Sequence, residues 1–174
     1  MAETARAALH LPFDAERFRW QGVEERDYKE SEGKRRGMGW RGLTRHTLVP
    51  GGSVAAGFEQ RYFEIAPGGY SSLEKHEHVH VVVTLRGKGR VLVGDRVVEL
   101  GHMEVLEIPS SAAHRWVNAG DEPWGFLCTV DAERDRPQPL DDAEWEALRA
   151  VNWRASDEEL QALVGKIGGT GSSC

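Results

Sequence analysis

The stretch that decides the fold runs from Gly68 to Gly87 and reads GGYSSLEKHEHVHVVVTLRG. Four residues that can bind a metal ion recur in it at every second position: Glu74, His76, His78 and His80. Because alternate side chains of an extended chain point to the same face, all four can converge on one interior point. Burial of imidazoles and a carboxylate inside a sheet costs free energy unless a bound partner compensates for it. A divalent cation is the usual partner for such a set. The spacing therefore predicts a metal centre.

A second segment supports this prediction. Residues 108–118, IPSSAAHRWVN, also have a strand-like pattern and contain a further candidate ligand, His114. The two segments, in this order, resemble the two sequence motifs of the cupin family. The first motif reads Gly, five residues, His, one, His, three or four, Glu, six, Gly; the second reads Pro, one residue, Gly, two, His, three, Asn.

The match to these motifs is close in spacing but not in every ligand. Glu74 stands where the first histidine of the family usually lies, and His80 stands where the glutamate lies. In the second motif Pro109, His114 and Asn118 match, and Ser111 replaces the glycine. The resemblance covers roughly residues 55–131 and rests on two ordered motifs in series.

The resemblance implies an all-β cupin barrel (a double-stranded β-helix or jelly roll) with short C-terminal helices. It also implies a ligand set taken from both motifs: Glu74, His76, His80 and His114. Cupins usually bend between the second and third ligands, so strict alternation can fail there, and His78 is left open as a replacement for one of the four. The other histidines, His10, His46 and His102, have no ligand spacing and are predicted to be surface residues.

Strand signals along the rest of the chain agree with a barrel. We predict strands at Phe58–Ile65 and Trp124–Val130, a turn at residues 66–69, and a hairpin turn at Arg86–Gly89 that returns the ligand strand. Residues 1–45 are charged and irregular, with Trp20 and Trp40 as anchors onto the barrel. Short strands at eight-to-twelve-residue spacing with glycine-bearing turns are typical of sandwiches and barrels.

We interpret residues 1–174 as a single domain with four segments. These are an N-terminal arm with the first strands, a cupin barrel core, a connector with short helices, and a mobile tail, at 1–54, 55–131, 132–167 and 168–174. Asp141 or Asp142 is predicted to cap a first helix, and Ser156 with Glu159 to form the capping box of a second one that ends at Gly165.

Composition excludes several classes of function. A net charge of −6 argues against nucleic acid as a primary partner. We find no apolar stretch of membrane-spanning length and no signal peptide. Cys128 and Cys174 do not make a disulfide framework, which favours reduced thiols and a cytoplasmic location. The basic run Lys34–Arg36 is interpreted as a solvated loop, with a phosphate site as the alternative.

Cys128 is the second chemically interesting feature. It lies in the last predicted barrel strand, on the face opposite Leu127. A buried cysteine is commonly an inert small hydrophobe. In small cupins that resemble this chain, with Phe-Leu-Cys ending the barrel, this cysteine faces the metal cavity, where a thiolate can act as a nucleophile or redox thiol.

Similarity over two longer stretches points to one group within the cupin family. SSLEKHEHVHVVVTLRGKGRVLVGD (residues 71–95) and FLCTVDAERDRPQPL (126–140) resemble the bacterial manganese cupins of methylthioadenosine salvage. Those enzymes are 1-methylthio-D-xylulose 5-phosphate methylsulfurylases, which release 1-deoxy-D-xylulose 5-phosphate for isoprenoid synthesis. The resemblance implies Mn²⁺, a sugar-phosphate substrate, a thiol such as glutathione, Cys128 as catalytic residue and, by analogy with cupins in general, a homodimer.

Other functions stay open at this point. Three imidazoles and one carboxylate also suit Fe, Ni, Zn or Cu. The fold hosts metal-dependent dioxygenases, sugar-phosphate isomerases and non-enzymatic proteins that bind small ligands. The sequence does not identify the residues that bind the substrate.

Overall fold

The structure is a computed structural model that describes residues 8–30, 37–52 and 57–150. Strands dominate this part of the chain, and a short helix follows them. The elements are β1 (Phe13–Asp14), β2 (Arg19–Trp20), β3 (Glu25–Asp27), β4 (Arg41–Val49), β5 (Phe58–Tyr70), β6 (His80–Arg86), β7 (Gly89–Val93), β8 (Arg96–Leu100), β9 (Val105–Ile108), β10 (His114–Val117), β11 (Trp124–Asp131) and α1 (Asp142–Ala150).

The strands form a nearly closed antiparallel β-barrel. The main sheet has the order β8-β7-β10-β5-β11-β6-β9, with β4 on the free edge of β5 and β3 on β4; β1 and β2 form a separate pair. The predicted all-β cupin fold is therefore confirmed. The sheet includes β3 and β4, which lie in the segment predicted to contain the N-terminal arm and the first strands, although the sequence of residues 1–45 looked irregular.

β5 is the strand that joins the two halves of the barrel. It pairs with β4 and β11 along most of its length and with β10 at Tyr70. The predicted turn at residues 66–69 is wrong, because these residues continue β5. They form a bulge opposite β4, where the register shifts between Arg41 and Leu43. Gly68 makes this bulge possible, since its φ of 68° lies in the left-handed region.

The connection from β6 to β7 also differs from the prediction. Gly87 turns the chain there with a φ of 62°, but β6 and β7 do not pair with each other. β6 pairs with β9 and β11, whereas β7 pairs with β8 and β10. The segment is therefore a crossover between the two halves of the barrel and not a hairpin. A period-2 pattern identifies the two strands but carries no information about their partners.

Aromatic and aliphatic side chains fill the barrel and cover its outer face. The interior cluster consists of Leu43, Phe63, Ile65, Val82, Val91, Leu100, Ile108, Trp116, Trp124, Phe126, Cys128 and Val130. On the outer face of β5, Tyr62 is covered by Trp20 at a ring distance of 5.1 Å, and Trp40 packs against the interior cluster near Tyr28. Both predicted anchors are thus in contact with the barrel. The prediction that His46 is a surface residue is wrong, because it is 1% exposed and its ring lies 5.7 Å from that of Tyr62.

The C-terminal helix begins with a reciprocal cap. The Asp141 carboxylate accepts a hydrogen bond from the Glu144 backbone N–H (2.9 Å), and the Glu144 carboxylate accepts one from the Asp141 N–H (2.8 Å). Asp141 is therefore the capping residue. Buried Trp145 and Leu148 pack α1 against Leu73 of the barrel.

A second contact joins this helix to the stretch Gly68–Gly87 that carries the candidate ligands, which we call the ligand segment. Glu144 forms an ion pair with Lys75. The backbone of Lys75 exchanges two hydrogen bonds with Gln138, of 3.0 Å and 2.8 Å. The connector before the helix is thus held beside Glu74 and His76.

Some predictions fall outside the described residues. These are the second helix, the Lys34–Arg36 loop, the tail and Cys174. The division into four segments stays a prediction. Within the described ranges, no helix is long and apolar enough to cross a membrane.

Replacement of Gly89 by alanine tests the close packing at the crossover. An added Cβ would lie 2.0 Å from Cε3 of the fully buried Trp124, so the ring or the strand must move. We expect the free energy of unfolding, measured by urea denaturation, to fall by about 1–3 kcal/mol. Gly39→Ala is the control, since its Cβ would meet nothing within 4 Å. Equal stability of the two variants would contradict this description of the core.

Candidate metal centre

The barrel encloses a cavity of about 1120 Å³. All five candidate metal ligands and the cysteine of the last strand line it: Glu74, His76, His78, His80, His114 and Cys128. The structure therefore brings together residues from both sequence motifs. The two motifs meet through the backbone, because Glu74 and His114 exchange hydrogen bonds of 3.2 Å and 2.9 Å.

The ligand segment is not one continuous strand. β5 ends at Tyr70 and β6 begins at His80, with a bend at Glu77 and His78 between them. Strict alternation therefore fails between His76 and His80, at the place where the cupin resemblance implies a bend.

Asp135 holds this bend in place. Its carboxylate accepts hydrogen bonds from the backbone N–H groups of Glu77 (2.9 Å) and His78 (3.2 Å) and lies 2.6 Å from Nδ1 of His78. Burial acts to raise the pKa of Asp135, but these hydrogen bonds outweigh it and lower that pKa to about 2. Asp135 was missed by the sequence analysis because it lies in the Pro-rich connector, 57 residues beyond His78.

Backbone carbonyl groups orient two of the imidazoles. Nδ1 of His76 lies 3.0 Å from the carbonyl oxygen of His78, and Nδ1 of His114 lies 2.9 Å from that of Ala112. A carbonyl can only accept, so the ring proton of each neutral imidazole resides on Nδ1. The lone pair is then on Nε2, which leaves this nitrogen able to bind a metal ion.

Burial keeps these imidazoles neutral. It lowers the pKa of His76 to about 4, with further contributions from the neighbouring His114 and His78. Burial also lowers the pKa values of His80 and His114. Nε2 of His76 lies 2.7 Å from Nε2 of His80. A cluster of neutral, closely spaced nitrogen donors fits a divalent metal ion, so the chemistry of the residues matches the site that a cupin fold implies.

Ring orientations separate His78 from the other histidines. The ligand nitrogens of His76, His78 and His80 all lie within 4.8 Å of one another, and among the described residues the predicted ligands Glu74 and His114 are not part of this group. However, the ring of His78 stacks on that of His76 at 3.7 Å and an interplanar angle of 6°. Since an imidazole lone pair lies in the ring plane, two parallel stacked rings do not direct their lone pairs at one ion. The ring of His114 meets those of His76 and His80 at 69° and 63°, which allows convergence.

Glu74 is held by several donors. Its carboxylate accepts hydrogen bonds from the Tyr28 hydroxyl (3.1 Å) and the Ser72 hydroxyl (2.6 Å) and forms an ion pair with Lys29. Burial, and then the charge of Glu74, raise the pKa of Tyr28 well above its ordinary value, so this hydroxyl is a donor. The assignment of Glu74 and His114 as ligands, in preference to His78, stays a prediction.

Cys128 contacts the histidine cluster directly. Its Sγ lies 3.1 Å from Nδ1 of His80 and 4.0 Å from Nη2 of Arg61, and the residue is 1% exposed. Burial raises the pKa of this thiol to about 11, although the charge of Arg61 acts in the opposite direction. His80 is therefore shared, with Nδ1 toward the thiol and Nε2 toward His76.

Comparisons with known proteins agree with this geometry. The family model described as "Cupin domain" matches residues 61–130. A curated relative, the 1-methylthio-D-xylulose 5-phosphate methylsulfurylase of Rhodospirillum rubrum, is 41% identical over 158 residues, which is 91% of this chain and 93% of the relative.

Solved structures give the same result. A cupin-2 domain protein from Rhodospirillum rubrum matches with a TM-score of 0.70 and 36% identity over 90% of this chain and 99% of the other. A cupin 2 conserved barrel domain protein from Rhodopseudomonas palustris matches with a TM-score of 0.70 and 33% identity over 81% and 92% of the two chains.

Bound metal in single-histidine variants tests the ligand assignment. We expect His114→Ala to lose metal affinity by more than the roughly 10- to 100-fold that removal of an outer partner costs, because its ring lies 4.7 Å from that of His76 and its Nδ1 is held by a carbonyl group. We expect His78→Ala to retain bound metal, since its ring stacks beside the cluster. Elemental analysis of protein made without added chelator gives the readout.

The control is His102→Ala, an exposed histidine whose Nδ1 lies 3.0 Å from the Leu85 carbonyl oxygen. Circular dichroism establishes that each variant keeps its strands. Loss of metal from His78→Ala with retention in His114→Ala would reverse the assignment.

Proposed function

The chain belongs to the cupin family, and we propose that it is a metal-dependent enzyme that removes the methylthio group of 1-methylthio-D-xylulose 5-phosphate. The product would be 1-deoxy-D-xylulose 5-phosphate, which links methylthioadenosine salvage to isoprenoid synthesis. The observation that carries the proposal is the position of Cys128, whose thiol shares the cavity with the histidine cluster and lies 3.1 Å from His80. The named relative, 41% identical over most of both chains, supports it.

The site has the donors for the proposed cofactor. Glu74, His76, His80 and His114 would hold a divalent cation, which we propose to be Mn²⁺. When bound, such an ion supplies a Lewis acid that stabilises negative charge on a substrate oxygen. The same donors also suit other first-row metals, so the choice of manganese rests on the family resemblance.

Cys128 would carry out the sulfur chemistry. Its thiolate attacks the methylthio sulfur, so an S–S bond forms as the C1–S bond breaks, and the electron pair passes to the substrate as an enolate. Protonation at C1 gives the deoxy sugar and leaves a methyl disulfide on Cys128. An external thiol such as glutathione then attacks this disulfide and releases Cys128, and its own proton balances the one taken up at C1.

Two neighbours would prepare Cys128 for this step. Nδ1–H of His80 donates to the sulfur when Nε2 of the same ring is engaged on the metal side. The Arg61 guanidinium, 4.0 Å from Sγ, adds positive charge. Both contacts favour negative charge on the sulfur and so oppose burial, which raises the pKa of this thiol.

The cavity is large enough for this reaction. Its volume of about 1120 Å³ is at the upper end for small-molecule sites, which leaves room for a sugar phosphate and an incoming thiol. The thiol partner, the homodimer and the cytoplasmic location are proposals that follow from the family resemblance.

Cys128→Ser tests the covalent step. We expect turnover of the methylthio sugar phosphate with glutathione to fall by at least about a hundredfold, because a serine hydroxyl cannot form the disulfide. Without external thiol, intact-mass spectrometry of the unmodified protein is expected to show the gain of one methylthio group. Cys174→Ser, which alters the other cysteine of the chain, is the matched control and keeps both properties. Undiminished turnover in Cys128→Ser would rule out the proposed role.

Oxygen dependence separates this proposal from an oxygenase. Thiol exchange consumes no O₂, so we expect equal rates of product formation in anaerobic and air-equilibrated buffer. An oxygen electrode and product analysis by NMR provide the measurement. Stoichiometric O₂ uptake coupled to product would replace the proposal by a dioxygenase.

A further inference from the structure

A row of arginines lies along one wall of the cavity. Arg26 of β3, Arg45 of β4 and Arg61 of β5 come from three neighbouring strands, and all three line the cavity. In the β3–β4 ladder Arg26 lies directly opposite Arg45. Like charges at directly opposite positions of an antiparallel pair destabilise a sheet. A protein with a net charge of −6 thus concentrates positive charge at this place.

The carboxylates near these arginines are too few to neutralise them. Glu59 forms ion pairs with both Arg134, at 2.8 Å, and Arg61, at 3.3 Å. Arg26 is paired with Glu24 at 2.7 Å. Within the described ranges, Arg45 has no ion-pair partner within 4 Å.

The other acidic residues that line the cavity, among those the structure describes, do not neutralise Arg45 either. Glu74 forms an ion pair with Lys29, and the Asp135 carboxylate is engaged in hydrogen bonds with Glu77 and His78. Asp27 and Glu30 also line the cavity, but neither lies within ion-pair distance of an arginine in the described part of the chain.

Two guanidinium groups also keep unused donors. The Nε–H groups of Arg45 and Arg61 are buried and have no hydrogen-bond acceptor among the described residues. Arg61 is 8% exposed as a residue, and its Nε approaches Glu59 without the alignment of a hydrogen bond. Burial, and then the charge of Arg61, lower the pKa of Arg45, and Arg26 acts in the same direction. Buried donors without acceptors are rare, and an anion that enters the cavity would supply acceptors for these two.

We propose that Arg45, together with Arg26 and Arg61, binds the phosphate group of a phosphorylated substrate. Guanidinium groups match phosphate oxygens with paired hydrogen bonds, and a dianion relieves the repulsion within the row. The identity of the whole ligand rests on the proposed function. The presence of an anion subsite rests on the arginines alone.

The distance from Cys128 suits such a ligand. Arg45 lies opposite Phe63 of β5, which lies opposite Phe126 of β11, two residues before Cys128. Standard strand spacings place the Cα atoms of Arg45 and Cys128 about 12 Å apart along the sheet. In the proposed substrate the sulfur and the phosphate are at opposite ends of a five-carbon chain. Sulfur at Cys128 therefore leaves the phosphate within reach of the Arg45 side chain.

Phosphate binding without catalysis gives the first test. Inorganic phosphate is expected to raise the Tm of the wild-type protein relative to chloride at equal ionic strength, and Arg45→Gln is expected to lose this response. Arg96→Gln is the matched control, because this arginine lies at the start of β8 and its side chain is 84% exposed. Without phosphate, Arg45→Gln keeps or gains stability, since it removes a like charge. Arg26→Gln is the second variant, with a smaller loss of response because Glu24 already neutralises that group.

Kinetics give the second test. For the methylthio sugar phosphate we expect Arg45→Gln to lower kcat/KM by about 10- to 100-fold, mostly through KM. For the unphosphorylated methylthio sugar, the variant and the wild type are expected to behave alike, which isolates the phosphate contact.

The outcomes distinguish the two proposals. An Arg45→Gln variant with unchanged KM for the sugar phosphate overturns the phosphate subsite and leaves the proposed function intact. A phosphate response that depends on Arg45, without turnover of the methylthio sugar phosphate, supports the subsite and rejects the proposed function. The absence of any phosphate response in the wild type overturns the subsite.

Discussion

The fixed orientation of neutral imidazoles inside the barrel is the constraint on which the site depends. Burial removes water from His76, His80 and His114 and so keeps them uncharged. Carbonyl oxygens of the backbone then hold Nδ1 of His76 and of His114, which turns their free lone pairs inward. The Nε2 of His76 is met at 2.7 Å by Nε2 of His80, and a cation that binds here takes the place of the proton between them. The cluster therefore offers inward-facing nitrogens that are already oriented for a metal ion.

The fold family and the candidate ligands could be predicted from the sequence, because residue types and their spacing within one segment can be read from it directly. The order and spacing of Glu74, His76, His80 and His114 indicated the family and the cavity. The strand positions followed from alternation for the same reason. The errors concern contacts between distant segments: the pairing of β6 and β7, the bulge in β5 at residues 66–69, and the cover over His46.

The residues around the site were harder to predict than the site itself. Asp135 shapes the ligand bend from a connector that looks like an ordinary surface segment. Arg45 and Arg61 are unremarkable in the sequence, since alternating charges are common on exposed strands. Only the register of the sheet shows that Arg26 and Arg45 are opposite each other and that Arg61 is opposite Cys128. Net charge likewise gave no sign of a local positive wall in an acidic protein.

The contacts of Lys75 tie the C-terminal helix to the ligand segment. Lys75 separates Glu74 from His76, bonds through its backbone to Gln138, and pairs with the same Glu144 that closes the cap of α1. Helix formation and ion binding at this segment would therefore be linked equilibria. By reciprocity, the free energy by which an ordered helix improves ion affinity equals that by which the bound ion stabilises the helix. Truncation of the chain after the barrel would consequently weaken the metal centre without removing any ligand.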